Sequence, residues 1–237
     1  MPKHGKKYQA AVKTVDPERT YTPEEALALV KQNATAKFDE TVEVHLRTNL
    51  DPRQADQQIR GVVNMPAGTG KQVRILVFAE GDAERAARDA GADYAGSDEL
   101  IQKIQNENWL DFDVAMAVPQ VMSKVGKLGR ILGTRGLMPN PKAGTIVQPE
   151  DLARVIRETR QGRVEYRLDR TGNVHVPVGK ASFTVEQLLE NLSALTEAIM
   201  RAKPASVKGQ YIRRATLTST MGPGVRVDLA QAAAPRG

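Results

Sequence analysis

Residues 72–81, "QVRILVFAEG", decide how this chain is organised. Ile75, Leu76, Val77, Phe78 and Ala79 form an unbroken apolar run. Such a run suits a strand covered on both faces. "FDVAMAVP" (112–119) has the same character. Between them lie a predicted helix at 82–90, a short "ADYAG" segment, and a helix opened by Ser97 with Asp98 and Glu99 in its first turn. That is a β-α-β-α-β rhythm, which builds a parallel sheet. "PEDLARVIRETRQG" (149–162) ends the region with a further helix, proline at its start and glycine at its end.

The flanking sequence has another style. "ETVEVHLRTN" (40–49) alternates strictly: Val42, Val44 and Leu46 point one way, and Thr41, Glu43, His45 and Arg47 the other. "RVEYRLD" (163–169) and "VHVPV" (174–178) alternate too, with "DRTGN" as a hairpin turn between them. "YIRRATLTST" (211–220) reads as a last long strand, and "VRVD" pairs back after Gly-Pro-Gly. Half-polar strands of this kind suit an antiparallel sheet with helices on one face and water on the other. The helices carry capping boxes, Thr22 with Glu25 and Thr184 with Gln187. A short helix is expected from Pro52 to about Ile59.

The expected fold is therefore an α+β outer domain made from 1–66 and 162–237, with a Rossmann-like α/β three-layer domain, 67–161, inserted into it. "MPAGTGK" and "RQGR" would be the two crossings, and their glycines would allow a hinge. The alternative is one continuous domain with two glycine turns.

Composition narrows the chemistry. The 237 residues suffice for one large domain or two ordinary ones. There is no cysteine, which excludes disulfides and thiol chemistry. No apolar run approaches the roughly 18 residues of a membrane span. "MPKHGKKYQA" is basic without an apolar stretch behind it, so a soluble cytoplasmic protein without a membrane partner is expected. Net charge is +6, of which 1–66 carries +1, 67–161 carries 0 and 162–237 carries +5. The ends hold the whole excess, and a basic surface suggests an anionic partner.

No catalytic site is visible. "AEGDAERA" after the first apolar strand has one glycine where a dinucleotide fingerprint needs three, and its acids repel phosphate. His4, His45 and His175 have no i,i+4 partner for a metal. No cofactor is expected.

Two stretches remain. Residues 119–145 hold Lys124, Lys127, Arg130, Arg135 and Lys142, five glycines and no acid, while 80–113 hold ten acids and three bases. A glycine-rich basic run can press backbone N–H groups and cations against phosphates; otherwise it is a solvated loop. "TLTSTMGPG" (216–224) sets Thr216, Thr218 and Thr220 on one face, followed by Met221 and a bare turn. With Arg163, Arg167, His175 and Arg214, these hydroxyls suit ribose 2′-OH groups and phosphate oxygens. Gly222 and Gly224 would let a partner approach the main chain. Met221 and Phe38 would be apolar contacts at polar margins. Aromatic residues are only 4% of the chain, too few for stacking many unpaired bases, so a folded RNA fits better. The rival readings are an ordinary wet sheet face, a nucleotide-dependent enzyme on the insert, and a DNA-binding repressor.

"KFDETVEVHLRTNLDPRQADQQIRGVVNMPAGTGK" (37–71), "LGRILGTRGLMPNPKAGTI" (128–146), "GNVHVPVGKASF" (172–183) and "TLTSTMGPGVRVD" (216–228) closely resemble the bacterial large-subunit ribosomal protein one family, the "L-one" stalk proteins. The resemblance runs from "MPKHGKKY" to about Asp228, leaving "LAQAAAPRG" as a tail expected to be disordered. It implies the split two-domain fold, and a monomer on the ribosome that binds large-subunit rRNA to form the mobile stalk beside the tRNA exit site. It also implies help in releasing deacylated tRNA, and repression of the protein's own operon through a leader mRNA that mimics the rRNA site. Carried over, the main RNA site falls on Lys37, Phe38, Thr41, His175, Thr218, Ser219, Thr220, Met221 and Gly222. Lys124, Lys127, Arg130, Arg135 and Lys142 would make secondary RNA contacts.

Overall fold

A computed structural model describes residues 5–229. The C-terminal tail expected to be disordered lies almost wholly outside these residues, as does His4. In chain order the elements are α1 (Lys6–Val12), α2 (Pro23–Gln32), β1 (Thr41–Thr48), β2 (Arg60–Asn64), β3 (Ile75–Phe78), α3 (Asp82–Asp89), β4 (Tyr94–Gly96), α4 (Asp98–Glu107), β5 (Val114–Ala117), α5 (Met122–Val125), α6 (Gly129–Arg135), α7 (Leu152–Gln161), β6 (Arg163–Arg167), β7 (Asn173–Lys180), α8 (Val185–Arg201), β8 (Ile212–Ser219) and β9 (Val225–Val227). Their packing separates the chain into two compact units. One is built from residues up to Gly70 and from Gly162 onward, the other from Lys71–Gln161.

The terminal unit holds a four-stranded antiparallel sheet in the order β7-β1-β8-β9. One face is apolar. Val42, Val44 and Leu46 of β1, Val174, Val176 and Val178 of β7, and Leu217 of β8 are buried with Leu188, Leu192 and Leu195 of α8 and Leu27 of α2. Burying a side chain of this size contributes roughly 1.5–3 kcal/mol. Both capping boxes form as their sequences require. Glu25 N donates to Thr22 Oγ1 at 3.3 Å and Gln187 N to Thr184 Oγ1 at 3.2 Å, with the reciprocal bonds present.

Two local expectations need correction. Residues 52–59 form only a 3₁₀ turn at Ala55–Gln57. Polar side chains take the backbone groups a helix would use: Asp51 N donates to Gln57 Oε1, Arg53 N to Asp51 Oδ1, and Gln58 Nε2 to the Pro52 carbonyl. Residues 163–169 also leave the main sheet. β6 pairs with β2 in a separate two-stranded ribbon, and the only ladder pairing toward β7 among the described residues is the isolated Leu168–Val174 bridge just after it. Tyr166 drives this. It is buried over Gly61, its cross-strand partner, where a Cβ would lie 2.5 Å from the phenol oxygen. Arg163 and Arg167 therefore do not share a sheet with His175 and the threonines.

The insert carries a three-stranded parallel sheet in the order β4-β3-β5. Ile75, Leu76, Val77 and Phe78 are each fully buried, as the apolar run requires. Helices α3 and α7 pack together, and α4 packs on α5. Ser97 stands at the head of α4, but its side chain makes no cap bond there.

Candidate nucleic-acid interface

The two most exposed large apolar side chains among the described residues are Met221, 62% exposed, and Phe38, 56% exposed. One residue links the segments that carry them. Glu40 is 1% exposed. Its Oε1 accepts from Ala36 N at 2.8 Å; its Oε2 accepts from Ser219 Oγ at 2.7 Å and Met221 N at 2.9 Å. Burial works to raise the carboxyl's pKa. The bonds from Ala36, Ser219 and Met221 outweigh it, so the pKa lies below its ordinary value and Glu40 stays charged. The loop before β1 and the turn after β8 are thus tied to one buried anion.

Around it the sequence-predicted residues come together. Thr41 N donates to Thr220 Oγ1 at 2.9 Å, and Lys180 Nζ to Thr41 Oγ1 at 2.8 Å. Thr218 Oγ1 donates back to the carbonyls of Ser219 and Gly222, at 3.0 and 3.2 Å, which closes the turn. Lys37 and Thr220 are exposed. Along the open face, cross-strand rows run Pro177–Glu43–Thr218, His175–His45–Thr216 and Asn173–Arg47–Arg214. The His45 and His175 Nδ1 atoms lie 2.7 Å apart, within hydrogen-bonding distance. Burial and then the nearby His175 hold the His45 pKa below its ordinary value, against the pull of Glu43.

Three predicted site residues play other parts. Ser219 is buried, with its hydroxyl given to Glu40, so it supports the turn and presents nothing to a ligand. Gly222 is required from inside: a Cβ there would lie 2.6 Å from Ser219 Oγ. Likewise a Cβ on Gly224 would meet Thr216 Cγ2 at 2.9 Å. In the insert, Lys124 is ion-paired to Glu80 at 2.7 Å and Asp98 at 2.9 Å, and the hydrogen bonds it donates to these two carboxylates raise its pKa. Its charge is locally neutralised. Lys127, Arg130, Arg135 and Lys142 are exposed, with no carboxylate within 4 Å among the described residues. Sequence reasoning missed Glu40. The signal was present, because counting back by two from Val42 puts residue 40 on the buried side of β1.

Among the described residues, no group of three or more His, Asp or Glu side chains could hold a metal ion, and no helix is long and apolar enough to cross a membrane.

With this geometry in hand, residues 30–223 match the model of the ribosomal protein L1p/L10e family. The chain belongs to that family. It is 65% identical over 229 residues to large ribosomal subunit protein uL1 of Chloroflexus aggregans, covering 97% of both chains. It is 59% identical over 229 residues to large ribosomal subunit protein uL1 of Dehalococcoides mccartyi, covering 97% of this chain and 96% of that one. It is 57% identical over 231 residues to the Thermomicrobium roseum protein of the same name, covering 97% and 95%. The family match spans the Glu40 clamp, Phe38, Met221 and the basic run of the insert.

Proposed function

We propose that the chain is a structural protein of the large ribosomal subunit, acting in the cytoplasm as a monomer on the ribosome, and that it binds large-subunit rRNA chiefly through its terminal unit. The observation that carries this is the Glu40 clamp, which holds two exposed apolar side chains beside a set of hydroxyls and cations. A soluble protein holds Met221 and Phe38 in water at a cost unless a partner covers them. Thr41, Thr218 and Thr220 supply hydroxyls fitted to ribose 2′-OH groups, and Lys37, Lys180 and His175 face phosphates. Because the turn is preorganised, little ordering is needed on binding.

On this reading the two units form the mobile stalk, hinged at their glycine-bearing crossings, and aid release of deacylated tRNA from the exit site. The same surface binds a leader mRNA and represses translation of the protein's own operon. Lys127, Arg130, Arg135 and Lys142 make the secondary RNA contacts. Support for that comes from Gly126, Gly129 and Gly133. A Cβ on any of them would meet nothing within 4 Å, so the chain's own packing does not call for glycine there.

An enzyme on the insert is disfavoured by the cavity at the ends of β3 and β4, about 850 Å³. Its lining carries five acids, Glu80, Glu84, Asp93, Asp98 and Glu99, against one base, Arg88, an excess that disfavours phosphate.

The test is Met221→Asp or Thr220→Ala in the full chain, titrated with large-subunit rRNA. Binding should weaken by roughly 1–3 kcal/mol in either variant. Wild-type affinity in both would refute the placement.

A further inference from the structure

The terminal sheet has a second charged end. β1 and β8 are antiparallel, so the end opposite Thr220 and Met221 brings Arg47 beside Arg214. The register shifts there: Thr48 pairs with Ile212 and Arg47 with Arg214, leaving Arg213 as an extra, bulged residue. Simple alternation would put Arg213 on the same side as buried Ala215 and Leu217. The bulge re-aims it, and Arg213 and Arg214 are both exposed. Arg53 and Arg170 stand on the adjoining loops, also exposed.

None of these five arginines has a carboxylate within 4 Å among the described residues. Outside the basic run of the insert many arginines are instead ion-paired: Arg60 with Glu165, Arg74 with Asp113, Arg154 with Glu158 and Arg160 with Asp93. Neutral acceptors hold two of the five instead. Arg47 Nη1 donates to the Thr171 carbonyl and to Asn173 Oδ1, and Arg213 Nη2 donates to Asn49 Oδ1. Each guanidinium is thereby oriented while keeping its full charge. Two carboxylates stand nearby but outside that distance: Asp169 accepts from Thr171 N at 2.8 Å and Asn173 N at 2.7 Å and lies 3.4 Å from His175 Nε2, and Asp51, beside Arg53, accepts from Arg53 N at 3.0 Å. Two hollows of about 540 and 380 Å³ open here, and Arg47 and Arg213 line both. Concentrated like charge costs stability in the free protein, so it needs an anionic partner to explain it.

We infer that this arginine end is a second RNA-binding surface, which grips the sugar-phosphate backbone of the same RNA whose folded part sits at Thr220 and Met221. At ~3.3 Å per strand residue the two ends of β1 lie about 20 Å apart, so the RNA strand continues along the open face. Guanidinium forks suit phosphate oxygens bidentately, and such contacts position without reading sequence. The arginine end sets affinity and salt dependence, and the methionine end sets selection.

This inference rests on the proposed rRNA binding. The experiment is a titration of the full chain with large-subunit rRNA across a salt series, comparing wild type with Arg47→Gln/Arg213→Gln/Arg214→Gln. The triple variant should bind roughly a hundred- to a thousandfold more weakly at ~0.1 M salt, with its log–log salt slope reduced by about 2–3, and converge with wild type near ~1 M. Discrimination against unrelated RNA should be unchanged, whereas Met221→Asp should lose it. The matching Arg→Lys triple should restore most of the slope, which separates charge from misfolding. A Gln triple with wild-type affinity and slope would overturn the inference and leave the proposed function standing. Wild-type protein that fails to prefer large-subunit rRNA would overturn both.

Discussion

Met221 stands on a turn pinned by a buried carboxylate, whereas Lys127 and Arg130 stand on helical turns full of glycine that nothing in their own unit requires. Both regions offer donors and cations to an anionic partner. In the terminal unit the backbone around them is fixed by charge-assisted bonds before any partner arrives. In the insert, on the proposed reading, the glycines keep the surface low for a bulky partner; a Cβ on Gly126, Gly129 or Gly133 would meet nothing within 4 Å. The first arrangement suits selection, since misplaced partners meet a rigid outline. The second suits tolerant binding to a phosphate backbone.

The sharpest way to break this contrast is Glu40→Ala. Removing the carboxylate orphans Ala36 N, Ser219 Oγ and Met221 N near a buried site. Stranded groups of this kind cost roughly 1–3 kcal/mol each, so the terminal unit should lose on the order of 2–4 kcal/mol after partial hydration. RNA binding should fall further than for Met221→Asp, because Phe38 and Met221 lose their fixed positions together. Denaturant unfolding of the full chain, followed by a probe in the terminal unit, reads the first effect; the rRNA titration reads the second. Acid sharpens it. The Glu40 carboxyl is held below its ordinary value, so its stabilisation is full above about pH 4.5 and is lost as pH falls through the lowered value. Glu40→Gln should abolish that part of the acid sensitivity. Wild-type stability and RNA affinity in Glu40→Ala would remove the basis of the comparison.

Much of this was legible in the sequence. Strict alternation in β1 and the unbroken apolar run in β3 told the two sheets apart, because one strand has a wet face and the other has none. The capping boxes were legible because their bonds are local. What was hidden depended on distant partners. β6 alternates correctly yet leaves the main sheet, since the deciding neighbour of Tyr166 is Gly61, about a hundred residues away in the chain. Ser219 read as one more hydroxyl of the site because its partner Glu40 lies in β1's approach. Lys124 read as one more free cation because Glu80 and Asp98 come from other segments. Charge composition gives the sign of a region; only the fold says which charges are already matched.

Lys124→Gln should leave rRNA affinity and its salt slope at wild-type values, because the Lys124 ammonium is already paired with two carboxylates. Lys127→Gln/Arg130→Gln should lower the slope by about 1–2, roughly one step for each phosphate left without its cation. A larger effect from Lys124→Gln than from the double variant would mean that the ion pairs break on binding, and the insert's cations would have to be reassigned.

The smallest effect has the opposite sign in the free and bound protein. Gly129 has ordinary helical backbone angles, φ −53° and ψ −35°, and a Cβ on Gly129 or Gly133 would meet nothing within 4 Å. Glycine inside a helix costs roughly 0.5–1 kcal/mol relative to alanine. Gly129→Ala and Gly133→Ala should therefore each raise the insert's stability by about that amount, seen as a higher unfolding midpoint of that unit. A surface kept bare for a partner loses that access once methyl groups are added. The same substitutions should weaken rRNA binding modestly, by less than the loss of Lys127 and Arg130. If both variants are more stable and bind rRNA like wild type, the glycines are not kept for close approach, and the insert's hold on RNA rests on its cations alone.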